Sequence, residues 1–376
     1  MPRFLFACDS FKGTLSSART AELLAEAAER HFPGCGWVAV PMADGGEGTV
    51  DAVVAATGGE VVTARVAGPL GDPVQAAYGM LPDGGAVIEM AAASGLPLVA
   101  GREDVLAAST LGTGQLVSDA LDCGARGVAL AIGGSATNDG GSGFLVALGA
   151  RLLDARGEGL APCAANLGRV AAVDLSGLDP RLAAAGLTVM CDVDNPLLGE
   201  QGATRVFGPQ KGANPEVVER VEAGMAVYAR ALSEACGRDV APVPGAGAAG
   251  GLGAACLAVG ATLRPGIDTV LDLVGFEDLL RGADLVVTGE GRLDAQTAHG
   301  KVVSGVAAAS RRAGVPCVAV AGSVDEGYRP GDIPGLVAAV ACVTRLEPLE
   351  RVLAQADGNF ASAAERLFSL LAVDLA

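Results

Sequence analysis

Short apolar runs recur along this chain, and each ends in a segment of glycines, acids and hydroxyls. Phe4 to Cys8 and Trp37 to Pro41 read as buried strands at the amino end. Asp284 to Thr288, Val315 to Ala321 and Leu336 to Thr344 read the same way at the carboxyl end. Between them lie stretches whose apolar residues fall at helical spacing. Ser16 is placed to cap a helix reaching about Arg30, a second helix runs from Thr49 to Gly58, and a third from Val302 to Ala313 is closed by Gly314. A last helix is expected over 359–373. Strand, loop and helix in regular alternation predict a parallel sheet covered on both faces.

From Glu60 to Met90 the pattern changes. Three apolar or alternating runs are separated by Gly68-Pro69, Gly71-Asp72-Pro73 and Pro82-Asp83-Gly84-Gly85, which predicts an antiparallel or mixed sheet. Helices follow over about 110–123 and 215–235, and strands over 127–132 and 187–190. Arg156 to Ala185 reads as a connecting region with weak signals. The fold class expected is therefore α/β: a flavodoxin-like, doubly wound parallel-sheet domain built from residues 1–60 and 275–376, with a second α/β domain of mixed sheet, 61–274, inserted into it.

Composition narrows the function. The net charge of −17 repels polyphosphate backbones, so nucleic acid is not an expected partner. Half the residues are apolar, yet no uncharged run reaches membrane-spanning length. The amino terminus turns acidic at Asp9, too soon for a signal peptide, and a cytoplasmic location is expected. The nine cysteines include no C-x-x-C pair, which argues against a disulfide or zinc framework. Only three of the 26 basic residues are lysine, and Lys12, Lys211 and Lys301 each adjoin a glycine. A compact ammonium beside a flexible loop suits a phosphate or a carboxylate.

The chemistry is concentrated after the strands, where open α/β sheets bind ligands. Asp9 to Thr14 and Met42 to Thr49 each bring an aspartate, glycine and a hydroxyl to a helix amino terminus. Gly133 to Gly143 packs five glycines, three hydroxyls, an amide and an acid into eleven residues, a composition suited to phosphate or polyol binding. Asp192 and Asp194 end a strand, as metal or base carboxylates or as ordinary turn residues. Gly289 to Asp294 is read as a glycine loop carrying Glu290 and Asp294. Gly245 to Gly250 has the G-x-G-x-x-G spacing, but Ala241-Pro-Val-Pro244 before it is a poor strand. It is read as a packing loop that opens a helix at Leu252. Acids, glycines and lysines are the parts of phosphoryl transfer, whereas two isolated histidines, His31 and His299, make a Ser-His-Asp hydrolase hard to build. An NAD-dependent oxidoreductase and a nucleotide sensor without catalysis are the rival readings.

Seven segments together resemble the bacterial type-1 glycerate kinases: Asp9 to Gly13, Ala43 to Thr49, Gly133 to Gly141, Cys191 to Pro196, Phe207 to Ala213, Pro244 to Gly253 and Gly289 to Asp294. The resemblance spans the chain. It departs at Cys8, where the family usually has proline, and at Ser135, often threonine there. It implies ATP-dependent phosphorylation of D-glycerate, usually to 2-phosphoglycerate, with Mg²⁺ and a site between the two domains. Within it, Asp192 or Asp44 is the expected proton acceptor, and Lys12 is expected to be catalytic. Glu290, Asp294 and Asp139 are expected to carry or orient Mg²⁺. Lys12, Lys211 and Lys301 would neutralise the phosphates and the glycerate carboxylate. Gly45, Gly46, Gly133 and Gly134 would offer backbone N–H groups. Ser10, Ser135, Thr137, Asn138, Gly289 and Gly291 complete the expected nucleotide contacts. The oligomeric state stays open, a homodimer included.

Overall fold

A computed structural model describes residues 1–11, 13–294, 297 and 301–373. Lys12 and His299 lie outside the described residues. The strands are β1 (Arg3–Cys8), β2 (Gly36–Ala39), β3 (Glu60–Ala67), β4 (Pro73–Met80), β5 (Gly85–Glu89), β6 (Gly127–Ala131), β7 (Arg151–Leu153), β8 (Ala172–Asp174), β9 (Leu187–Met190), β10 (Thr262–Arg264), β11 (Leu285–Leu293), β12 (Cys317–Val324) and β13 (Leu336–Ala341). The chain divides into two compact units. One comprises Met1–Asp44, Ala55–Thr57 and Ile267–Ala376; the other comprises Gly45–Val54 and Gly58–Gly266.

The first unit holds a five-stranded sheet in the order β13-β12-β11-β1-β2, and every pairing in it is parallel. Renumbered within the unit, that order is 2-1-3-4-5, the flavodoxin-like winding. Helices cover both faces, so β1 is buried from Phe4 onward, as a central parallel strand must be. Phe4 meets Phe368 of the helix Ala356–Leu371 edge to face, with ring centroids 5.1 Å apart.

β11 departs from the expected break at Gly289. It continues through Gly289, Glu290, Gly291 and Arg292 to Leu293, paired with β12. The glycines serve the sheet: a Cβ on Gly289 would collide with Val320 O, and one on Gly322 with Gly291 O. The run reads as a loop because glycines and charges depress strand propensity, while the neighbouring eight-residue β12 supplies the ladder that overrides it. Glu290 therefore stands on a strand end, not on a loose turn.

The second unit holds a six-stranded sheet in the order β10-β9-β6-β5-β4-β3. β3, β4 and β5 pair antiparallel, whereas β5, β6, β9 and β10 run parallel. The weakly patterned region contains more than a connection: its β8 pairs antiparallel with β7, which lies just before it, and a helix Pro180–Ala185 starts at the Asp179 cap. Strands of three residues are too short to show a period.

The G-x-G-x-x-G stretch is a packing device. Ala249, Gly250 and Gly251 have left-handed backbone, and regular helix begins at Leu252. A Cβ at Gly250 would collide with Thr137 O, and one at Gly251 would lie 2.7 Å from Gly140 Cα. Gly140 N–H donates to Gly250 O at 2.9 Å. No strand leads into it from 241–244, so the dinucleotide geometry is missing.

Candidate functional site

In the first unit the functional side chains gather where β1 and β11 end. These neighbouring strands flank the point at which the winding reverses, the place where such sheets bind ligands. Asp9 follows β1; its N–H donates to Gly289 O at 2.9 Å, and its Oδ1 accepts from Ser10 N–H at 2.6 Å. Glu290 is only 6% exposed. Its Oε1 accepts from Thr297 Oγ1 at 2.6 Å, and its Oε2 lies 4.0 Å from Lys301 Nζ. Lys301 Nζ is also 3.9 Å from Asp294 Oδ1. Burial pushes the Glu290 carboxyl up to about 7, with Asp9 and Asp294 adding to the rise and Thr297 and Lys301 opposing it. Lys301 is the N-cap residue of the helix Val302–Ala313, so the first N–H groups of that helix follow it directly in the chain. A cavity of about 560 Å³ opens on Asp9, Ser10, Asp44, Glu290, Gly291 and Lys301. It is sized for a small-molecule ligand.

In the second unit the parallel strands β5, β6, β9 and β10 each end in a polar residue or a polar segment. The glycine loop after β6 is held from beneath by two buried charges. Asp139 is fully buried, and its Oδ2 accepts from Thr110 N–H and Thr110 Oγ1 at 2.9 Å and from Gly143 N–H at 3.0 Å. Its Oδ1 accepts from Gly141 N–H at 3.1 Å. Burial raises its pKa despite these donors. Lys211 is 2% exposed and donates to Ser135 Oγ and Thr137 O, both at 2.7 Å. Burial lowers its pKa to about 7, against the pull of Asp139.

Asp139 and Lys211 were expected to meet a ligand, and both lie out of solvent here. Asp139 spends its oxygens on Thr110, Gly141 and Gly143 and is closed to solvent, where it ties the loop to Thr110. Lys211 fastens the loop from within rather than meeting a phosphate from solvent. Asn138 is likewise buried, its amide donating to Thr204 Oγ1 at 2.9 Å, and Thr137 is fully buried. Composition alone could not separate a lining residue from a supporting one.

Beside this loop, a Cβ at Gly133 would lie 3.5 Å from Gly46 Cα. A Cβ at Gly45 would lie 2.9 Å from Gly266 Cα and 3.0 Å from Met190 Cβ. Asp192, just past β9, is exposed, and its Oδ1 accepts from Gly266 N–H at 2.8 Å. Gly45, Asp192 and Gly266 thus share one corner of this unit. Arg264 ends β10 there, with its O accepting from Cys191 N–H at 2.9 Å.

Three residues escaped the sequence reading as site candidates: Thr297, Arg264 and Glu89. Glu89 accepts from Val50 N–H at 2.8 Å at the start of the helix Thr49–Thr57, and burial raises its pKa. An acid ending the apolar run Ala86–Met90 was the available signal.

Among the described residues, no group of three or more His, Cys, Asp or Glu side chains could hold a metal unaided. Glu290 and Asp294 are hard oxygen donors, both within about 4 Å of one ammonium. That set fits Mg²⁺ carried on a nucleotide, which takes one or two carboxylates and completes its shell with phosphate and water.

The chain matches the model of the "Glycerate kinase family" over residues 4–372. It is 45% identical to a glycerate kinase of Halalkalibacterium halodurans, covering 98% of this chain and 97% of that one. It is 42% identical to the glycerate 2-kinase of Escherichia coli K12, covering 99% of each. A crystal structure described as a glycerate kinase 2 of Salmonella typhimurium LT2 superposes with a TM-score of 0.89 at 44% identity, covering 98% of each chain. With that match and these relatives, the chain belongs to the glycerate kinase family and is a kinase.

Proposed function

We propose that this enzyme transfers the γ-phosphoryl group of ATP to D-glycerate, giving 2-phospho-D-glycerate, with Mg²⁺ as the accompanying ion. The observation that carries the nucleotide half is the cavity at the β1/β11 switch point, where Glu290, Asp294, Asp9 and Lys301 converge. The name of the Escherichia coli relative supports the 2-phospho product.

Each unit is assigned one substrate. In the first, Lys301 and the N–H groups opening the helix Val302–Ala313 neutralise phosphate oxygens, with Ser10 and Gly291 beside them. Glu290 and Asp294 would hold the ion, which withdraws charge from the transferred group. In the second, Gly45, Gly46, Gly133 and Gly134 present backbone N–H groups, and Arg264 supplies a planar cation suited to a carboxylate. Asp192, oriented by Gly266 N–H, accepts the proton of the attacking hydroxyl. Asp44 is the alternative base. Lys12 keeps its expected role as a phosphate cation, on the sequence alone.

The test is a reaction of the full chain with ATP, Mg²⁺ and D-glycerate followed by ³¹P NMR. Glycerate-dependent ADP release and a phosphomonoester doublet, from coupling to a single carbon-bound proton, are expected. A triplet would move the phosphoryl group to the terminal hydroxyl. No glycerate-dependent ADP would overturn the assignment. Asp192→Asn and Asp44→Asn compared under the same conditions decide the base, which is the one whose loss abolishes turnover.

A further inference from the structure

The cavity at the β1/β11 switch point has a second half that phosphate chemistry does not use. Away from Glu290 and Lys301 it is lined by Phe11, Phe360, Val343, Leu349, Val352 and Leu353. Phe11 and Phe360 meet edge to face, with centroids 5.3 Å apart, and both are buried. The other wall is different. The short helix Leu349–Ala354 contributes three apolar side chains to the cavity and buries none of its residues. Leu349 is 69% exposed and Leu353 48%. Large aliphatic side chains left open on the wall of a ligand-sized cavity mark a contact still to be made.

We propose that this apolar half is the subsite for the base of the nucleotide, a flat purine held between the Phe11–Phe360 pair and the Leu349–Leu353 helix. The assignment rests on the nucleotide reading above and extends it. The cavity is bipolar in its lining: apolar side chains, with Glu347 and Asn359 among them, share about 560 Å³ with the carboxylates and ammonium of Asp9, Asp44, Glu290 and Lys301. A purine nucleoside triphosphate is bipolar in the same sense. An aromatic base gains from losing water against the leucines and phenylalanines, while its phosphates reach Lys301. A second copy of the chain would also cover the two leucines, but it would not account for a slot that continues to charged groups inside one unit.

The experiment uses the full chain and the double substitution Leu349→Ser/Leu353→Ser, two exposed positions whose loss leaves the core intact. Binding of a fluorescent N-methylanthraniloyl ATP is competed with ATP, adenosine and inorganic triphosphate. Adenosine should displace the probe from the unsubstituted protein. In the double variant the Kd for ATP should rise about tenfold, the equivalent of roughly 1.4 kcal/mol, while that for triphosphate stays within about twofold on the same scale. The thermal midpoint should not move. An unchanged ATP affinity overturns the subsite, as does a parallel loss for ATP and triphosphate. So does a variant that changes only its oligomeric state by gel filtration, since the leucines then serve a second copy. No probe binding by the unsubstituted protein also overturns it. Probe binding that responds as expected, without glycerate-dependent ADP release, supports the subsite and removes the glycerate reaction instead.

Discussion

Lys211 Nζ sits 2.7 Å from Ser135 Oγ, beneath a glycine loop and almost wholly out of solvent. The ammonium donates to Ser135 Oγ and Thr137 O, both neutral acceptors. Its charged form is disfavoured in the fold, and its pKa falls to about 7. An unfolded chain keeps the ordinary lysine value of 10.5. Between those values the unfolded state binds the proton that the folded state lacks. Stability attributable to Lys211 therefore rises with pH from about 7 toward 10.5 and is level below 7, with a slope of at most about 1.4 kcal/mol per pH unit. Urea midpoints measured from pH 6 to pH 10 should show this slope in the unsubstituted protein and lose it in Lys211→Met.

Asp139 is the counterpart anchor. Removing its carboxylate in Asp139→Ala strands the N–H groups of Thr110, Gly141 and Gly143 in a dry interior. The expected loss is on the order of 3 kcal/mol or more, read as a fall in the urea midpoint. Added Mg²⁺ should not restore it. Recovery of stability by the ion would return Asp139 to the metal site.

Glu290→Gln keeps an acceptor for the Thr297 hydroxyl and removes the charge. Steady-state assays should show kcat/KM reduced on the order of a hundredfold, the scale of losing one electrostatic contact to a transition state. The circular dichroism spectrum should be unchanged. Turnover close to normal would take Glu290 out of the phosphate site.

Gly250 and Gly237 separate packing from backbone preference. Both have left-handed backbone, with φ of +68° and +73°. Nothing lies within 4 Å of a Cβ at Gly237, whereas at Gly250 it meets Thr137 and Asn138. Gly237→Ala should cost roughly 1 kcal/mol, the ordinary left-handed penalty. Gly250→Ala should cost on the order of 3 kcal/mol, because the glycine loop must also move. NAD should give no thermal shift, since the 245–250 stretch presents no open phosphate cradle.

What local order can encode was legible in the residues. Apolar runs announced the strands, and Ser16, Gly58 and Gly314 sit at helix caps as expected. The division of labour inside the loops was not. Lys211 and Lys301 look alike in sequence, each a rare lysine beside glycine, yet one is buried as a fastener and the other opens a helix on a cavity. Asp139 and Asp192 are both acids past strand ends, yet one is sealed under the loop and the other exposed. Burial is set by segments far away in the chain, so no short window carries it. The same holds for Glu290, whose strand is completed by β12. Periodicity and turn chemistry determine which elements form, because those forces act over a few residues. Which side chains face a substrate depends on desolvation and on distant partners, and only the folded chain decides that.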